Sequence, residues 1–144
     1  MLLDHQTNEL EFKVALGPRG KEVKPLRLPV GQGIGGWVAK EGKPLLIPNA
    51  YEDERFDRSF DQRTGYVTRS IVCVPLIYNK KVIGVVQALN RRDGKSFVQE
   101  DLHTFNLYAT LAALAIENSR LIHSTIEREK QEKDLVVANE IQRL

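Results

Sequence analysis

Two apolar, β-branched runs around a short polar turn dominate the middle of the chain: Ile71, Val72, Val74, Leu76 and Ile77 in the first arm, and Val82, Ile83, Val85, Val86 and Leu89 in the second. Branched side chains suit a pleated surface, and Asn79, Lys80 and Lys81 can sit in water at a tip, so residues 69–90 are predicted to form a β-hairpin. Neither arm alternates apolar with polar positions. Ile71, Cys73 and Pro75 face one way and Val72, Val74 and Leu76 the other, so both faces are expected to be covered. A helical layer is expected on one side and loops enclosing a pocket on the other.

Upstream, Glu9-Leu10-Glu11-Phe12-Lys13-Val14-Ala15-Leu16 alternates, which predicts a half-buried strand with Leu10, Phe12, Val14 and Leu16 on one face. It is expected to pair with residues 1–3 across the turn chemistry of Asp4-His5-Gln6-Thr7-Asn8. Residues 1–3 are shorter than an ordinary strand of about 5–6 residues, which reads as a fragment starting inside a strand. Gly17-Pro18-Arg19-Gly20 breaks the pattern, and a polar segment leads to Leu26-Arg27-Leu28-Pro29. Leu45-Leu46-Ile47 predicts a further short buried strand. Residues 51–68 then lack a sustained period. Arg55, Phe56, Asp57, Phe60, Asp61, Arg63, Thr64, Tyr66 and Thr68 mix donors and acceptors with aromatic faces, as a small-ligand pocket requires and as a solvated connecting loop also does.

From Val98 the period becomes helical. Ser96 and Gln99 read as a capping box, and Glu100 and Asp101 favour the positive end of the helix. Leu102, Phe105, Ala109, Ala112, Ala113 and Ile116 form a stripe able to cover the sheet. A second stripe, Leu107, Leu111, Leu114, Asn118, Leu121 and Thr125, follows alternating steps of four and three. It predicts a coiled-coil seam with a partner helix, Asn118 setting the register, the alternative being a broad face buried in the same domain. Residues 127–134 carry no apolar side chain, and Leu135, Val136, Ala138 and Ile141 resume the pattern. Residues 1–125 are therefore expected to be the globular domain and 126–144 a helical linker toward an output domain.

Composition narrows the function classes. A formal net charge of +2 gives no basis for a nucleic-acid or acidic-membrane partner. One cysteine excludes a disulfide framework and any multi-cysteine metal site, and fits a reducing compartment. Without a run of about 18 apolar residues or a leader pattern, the segment is expected to be soluble and cytoplasmic. His5, His103 and His123 lack ligand-like spacing, and no nucleophile-base pair is readable, so neither a metal nor catalysis is expected.

Gly31-Gln32-Gly33-Ile34-Gly35-Gly36 matches the G-x-G-x-x-G fingerprint, with Glu52 and Asp53 near the distance of a ribose-binding acid. The context argues against a dinucleotide site. The helix that follows meets Gly42 and Pro44 too soon for a βαβ crossover, and no alternating strand-helix series follows. Two readings remain: a helix terminus whose unpaired N–H groups accept an anion, or glycines that permit a tight turn.

In Gly33-Ile34-Gly35-Gly36-Trp37-Val38-Ala39, Ile47-Pro48-Asn49-Ala50-Tyr51, Arg55-Phe56, Arg69-Ser70-Ile71-Val72-Cys73-Val74-Pro75 and Ile83-Gly84-Val85, the chain resembles GAF domains over most of residues 1–125. The resemblance implies an α+β, GAF/PAS-like fold: a central antiparallel sheet with helices on one face, a loop-roofed pocket on the other and a long C-terminal helix. By the family's pattern, the N-terminal helix and part of the first strand are missing. Residues 61–68, Asp61-Gln62-Arg63-Thr64-Gly65-Tyr66-Val67-Thr68, are most similar to the cyclic-nucleotide-binding members.

That likeness implies backbone contacts to a ligand from Ile34 and Gly35, sugar-phosphate contacts from Asp61, Thr64 and Thr68, and Gln87 facing the pocket from the sheet, with Phe56 in the same ligand set. Of the Asn-Lys, Phe, Asp-Glu signature of those members, Asn90, Phe97 and Asp101 match, while Arg91 replaces the lysine and Leu102 the glutamate. An Arg91–Asp101 ion pair with a structural role is expected. No purine-stacking aromatic is found between Ala15 and Lys24. Members that reduce methionine sulfoxide use several cysteines, whereas Cys73 is alone in a core strand.

Residues 132–144 resemble the linker before PPM-type serine phosphatase domains of bacterial regulators, and a cyclase or histidine-kinase output would need a similar helix. The function implied is a sensor in a bacterial signalling protein, with cyclic AMP or cyclic GMP as ligand and a homodimer through the C-terminal helix at Leu107, Leu111, Leu114, Asn118 and Leu121. The alternative is a ligand-free module serving only dimerisation or scaffolding.

Overall fold

The computed structural model describes residues 1–144. It divides into two units, Met1–Ala113 and Leu114–Leu144. In the first unit, six strands make one antiparallel sheet: β1 (Leu2–Asp4), β2 (Glu9–Glu11), β3 (Arg27–Pro29), β4 (Leu45–Ile47), β5 (Ile71–Tyr78) and β6 (Lys81–Leu89), in the order β3-β2-β1-β6-β5-β4. The helices are α1 (Gly20–Val23), α2 (Gly33–Glu41), α3 (Ser59–Thr64) and α4 (Gln99–Gln142). This is an α+β fold with a long C-terminal helix.

The predicted hairpin is β5 and β6, registered from Ile71 opposite Leu89 to Tyr78 opposite Lys81. Asn79 (φ 51°) and Lys80 (φ 64°) form the left-handed two-residue turn that matches the twist of the flanking strands. Pro75 is tolerated in this long strand because β4 pairs only with residues 71–73, which leaves the rest of β5 an edge on that side.

The two faces of β5 are buried differently. Ile71 and Cys73 join Leu10, Ile47, Val85 and the α2 residues Ile34, Val38 and Ala39 in one cluster. Val72, Val74 and Leu76 are buried on the opposite side, at about 1.5–3 kcal/mol each for the transfer. The first part of α4, where Ala109 and Ala113 are buried, is the element left to cover them.

The structure corrects two local expectations. β2 stops at Glu11, and Val14 and Leu16 are 69% and 90% exposed rather than facing the core. Its neighbours β1 and β3 are three residues each, so no ladder partner remains to hold the alternating segment extended. The polar segment after it winds into the single turn of α1. At the start of α4, the Ser96 hydroxyl donates to the Pro48 carbonyl at 3.1 Å, not to an N–H of the helix. Instead, the Asp101 carboxylate reaches back to the Val98 N–H at 2.8 Å, a one-sided cap two residues later.

The glycine segment is a tight turn into α2. A Cβ on Gly36 would lie 2.6 Å from the Pro29 carbonyl oxygen, so only glycine lets the turn fold back this closely. The helix ends at Gly42, whose left-handed backbone places its N–H on the Val38 carbonyl.

The second unit is the continuation of α4. It stays helical through the charged residues 127–134, and Leu121, Ile122, Leu135, Val136 and Ile141 are exposed along it. No helix of the chain is long and apolar enough to cross a membrane.

Candidate functional site

Adjacent strands β4 and β5 are joined not by a tight turn but by the excursion of residues 48–70, which contains the segment 51–68 expected to roof a pocket. Its base is closed where the Ala50 N–H donates to the Arg69 carbonyl at 2.6 Å. Asn49 starts the excursion by accepting the Tyr51 N–H at 3.3 Å, which caps a short 3₁₀ turn. Asp57 accepts the Ser59 N–H at 2.9 Å at the entrance to α3, and this bond holds the Asp57 carboxyl below its ordinary value. Gly65, left-handed at φ 72°, ends that helix.

A buried carboxylate organises the roof. Asp61 Oδ2 accepts the Tyr51 hydroxyl and the Thr68 N–H, both at 2.7 Å, and Oδ1 accepts the Thr68 hydroxyl at 2.8 Å. Accepting that hydrogen bond, Asp61 raises the pKa of Tyr51 above its usual value. The Phe56 ring stands edge-on to Tyr51 at 5.5 Å, and Arg58 lies over the Tyr51 ring at 4.9 Å while donating to its carbonyl.

The roof is also tied to its surroundings. Arg55 forks onto Asp53 at 2.9 and 2.6 Å, lowering that carboxyl's pKa, and stacks over the Trp37 ring of α2 at 4.7 Å. At the far end Asn90, left-handed at φ 55°, accepts the N–H groups of Arg69 and Ser70 at 2.6 and 3.2 Å. Its amide donates to the Val67 carbonyl at 2.8 Å and the Tyr66 hydroxyl at 3.2 Å. One side chain thus staples the end of β6 to the end of the roof.

Under α2 the sheet presents Gln87, half-buried opposite Cys73 on an otherwise apolar face. A Cβ on Gly35 would lie 3.7 Å from Gln87 Oε1, 3.1 Å from Leu28 and 3.2 Å from Met1, so the bare glycine backbone lets helix and sheet approach. Burial pushes the neighbouring Cys73 thiol up to about 12, which leaves it neutral and unreactive.

The predicted site residues therefore fall into two groups. Ile34 and Gly35 lie buried on α2, with Gln87 turned toward Gly35, whereas Asp61 and Thr68 are buried against each other. Phe56 stands on Tyr51, and Thr64 donates to the Phe60 carbonyl at 2.9 Å and accepts the Tyr66 N–H at 3.3 Å. Thr64 also lines a recess of about 210 Å³ with Glu22, Leu26, Phe60 and Arg63. Arg91 pairs with Asp101 at 3.1 Å and forks onto Asp93, linking the turn after β6 to the first turn of α4.

Sequence reasoning missed the staple at Asn90, the Tyr51 contact to Asp61, and the part Glu22 and Leu26 take in the recess. An asparagine after a strand and before a charged turn is the one local signal of a left-handed residue. The other contacts join residues too far apart in the chain to leave a spacing.

Comparison with known proteins adds a family likeness. The sequence pattern of the GAF domain matches residues 1–116. The chain is 42% identical over 108 residues to the probable 3',5'-cyclic phosphodiesterase pde-5 of Caenorhabditis elegans, a match spanning 75% of this chain and 15% of that protein. It is 35% identical over 119 residues to the dual 3',5'-cyclic-AMP and -GMP phosphodiesterase 11A of Takifugu rubripes, across 81% of this chain and 13% of that one. The chain thus spans less than a sixth of the length of these curated relatives. In fold it is similar to the second GAF domain of DevS from Mycobacterium smegmatis, with a TM-score of 0.68 over 86% of this chain and 81% of that one at 18% identity.

Proposed function

The chain belongs to the GAF domain family, and we propose that it is a non-catalytic, cytoplasmic sensor module that passes ligand state through a homodimeric α4 to an output domain. Its ligand in this reading is a cyclic nucleotide, cyclic AMP or cyclic GMP. Residues 1–125 are the sensor and 126–144 the linker.

The observation that carries the reading is Gln87: a polar amide on the apolar α2-facing side of the sheet, next to the buried, side-chain-free backbone of Gly35. The similarity to cyclic nucleotide phosphodiesterases supports the ligand class. Ile34, Gly35, Phe56, Thr64 and Gln87 are the contacts closest to hand. Contact through Asp61 or Thr68 requires their mutual hydrogen bonds to open, which makes that pair the element able to differ between free and bound forms. The Arg91–Asp101 pair then connects the end of the sheet to α4. The likeness of residues 132–144 to linkers of bacterial PPM-type serine phosphatases supports such an output, and a cyclase or kinase is the alternative.

A second reading, a ligand-free dimerisation module, draws support from the already satisfied hydrogen bonds of Asp61 and from the exposed row Leu107, Leu111, Leu114 and Leu121. Thermal melting with each nucleotide separates the two. Ligand at about 100 times its dissociation constant adds about 2.7 kcal/mol of stability. A raised melting temperature with either nucleotide supports the sensor, and no rise with either leaves the dimerisation module.

A further inference from the structure

The small net charge of the chain, +2, conceals one place where positive charge is concentrated. The turn between β5 and β6 carries Lys80 and Lys81, and α2 ends between Lys40 and Lys43. Both pairs share one surface: a Cβ on Gly42 would lie 3.5 Å from the Val82 side chain, so the end of α2 packs against the start of β6. All of these lysines are exposed, and none forms an ion pair. Glu41 is the single acid within residues 40–44 and 77–82.

The same end of the sheet carries apolar surface. Because β4 pairs only with residues 71–73, the hairpin runs on past it, and Ile77 is 42% exposed near its end. Half-buried Tyr78, opposite Lys81, adds a ring with a polar tip. A projecting hairpin offers no groove to an acidic peptide or a nucleic-acid strand, and lysines lack the planar fork with which arginine reads phosphates. An acidic lipid surface fits it better. Headgroup charges meet the lysines, the aromatic ring sits at headgroup level, and the apolar boundary below accepts an isoleucine.

We propose that the β5–β6 tip and the end of α2 form a peripheral docking surface for a membrane rich in anionic lipid, with Lys40, Lys43, Lys80 and Lys81 as its electrostatic contacts and Ile77 as its apolar anchor. The surface uses neither the roof nor α4, so it stands apart from the cyclic nucleotide reading.

Co-sedimentation of the chain with vesicles tests it. Vesicles of phosphatidylcholine with about one third phosphatidylserine are expected to bind the chain, and vesicles of phosphatidylcholine alone are not. Each lysine near such a surface is worth roughly 5-fold in affinity, so Lys80→Glu/Lys81→Glu is expected to weaken the partition by about 10-fold or more. Raising the salt from about 0.1 M to about 0.5 M is expected to act in the same direction, by screening exposed charge. Ile77→Ser is expected to weaken the partition several-fold while keeping its salt dependence, and both variants are expected to melt like the wild type because the replaced side chains are exposed. No partition onto anionic vesicles, or a partition that survives the charge reversal, overturns the proposal. Binding to a DNA duplex as tight as to the vesicles, and indifferent to Ile77→Ser, overturns it in favour of nucleic acid.

Discussion

Thr68 binds the Asp61 carboxylate twice, through its backbone N–H at 2.7 Å and its hydroxyl at 2.8 Å, with both residues buried. The two positions are seven residues apart, at the ends of the segment formed by the second half of α3 and the irregular chain that leads toward β5. The knot fixes how that segment lies over the sheet, and its removal has a defined consequence.

Asp61→Asn places an amide among three donors that need an acceptor. A stability loss of about 3 kcal/mol is expected in urea denaturation, given about 1.5–3 kcal/mol for hydrogen bonds to a charged group and a penalty for each donor left unpaired. Thr68→Val removes only one of the bonds, and a loss of about 1.5 kcal/mol is expected. Tyr51, whose pKa is raised by its bond to Asp61, is expected to titrate closer to its ordinary value of 10.0 in Asp61→Asn, read by ultraviolet absorbance.

The Asn90 staple separates backbone from side-chain effects. Asn90→Gly keeps the left-handed backbone free of strain and removes four side-chain hydrogen bonds. A loss of about 2 kcal/mol is expected, with faster amide hydrogen exchange at residues 66–70. Asn90→Ala adds the left-handed penalty of about 1 kcal/mol and is expected to be the less stable of the two.

Ser70 offers the opposite sign. It is buried, and its hydroxyl has no hydrogen-bond partner in the chain. Ser70→Ala removes an unsatisfied polar group without opening a large cavity, so chemical denaturation is expected to show stability unchanged or raised by up to about 1 kcal/mol.

Acid weakens the Asp53–Arg55 fork with a predictable sign. Arg55 lowers the folded-state pKa of Asp53 below the ordinary 3.8, so the unfolded chain binds the proton more readily. The stabilisation is complete above the ordinary value and is lost as pH falls through the lowered one. The difference in unfolding free energy between wild type and Asp53→Asn, measured from about pH 7 downward, is expected to be no more than about 1 kcal/mol and to vanish in acid.

The helix seam is tested by charge. Leu114 and Leu121 are exposed on α4 in the single chain, and replacing both with aspartate is expected to convert a dimer to a monomer in light scattering. Each leucine buried in a seam contributes about 1.5–3 kcal/mol, so two charged replacements exceed what a modest interface can absorb. An unchanged dimer would rule out this face.

Much of the architecture was legible because it is written in local pattern. The uninterrupted apolar arms of β5 and β6 predicted a strand pair buried on both sides, and the period from Leu102 to Ala113 predicted a helix with one buried stripe. The sequence by itself also determined the turns, since Asn79, Gly42 and Gly65 occupy left-handed positions that other residues adopt at a penalty. Pattern misled where it lacked a partner. Val14 and Leu16 alternate like strand residues yet lie exposed, because a strand is held by a neighbouring ladder and none extends past Glu11. Tertiary structure alone decided that Asp61 binds Thr68 and Tyr51, that Asn90 closes the roof, and that Glu22 and Arg63 line one recess. Those contacts join residues whose separation follows no period, and hydrogen bonds between them depend on the path of the intervening chain rather than on the residues themselves.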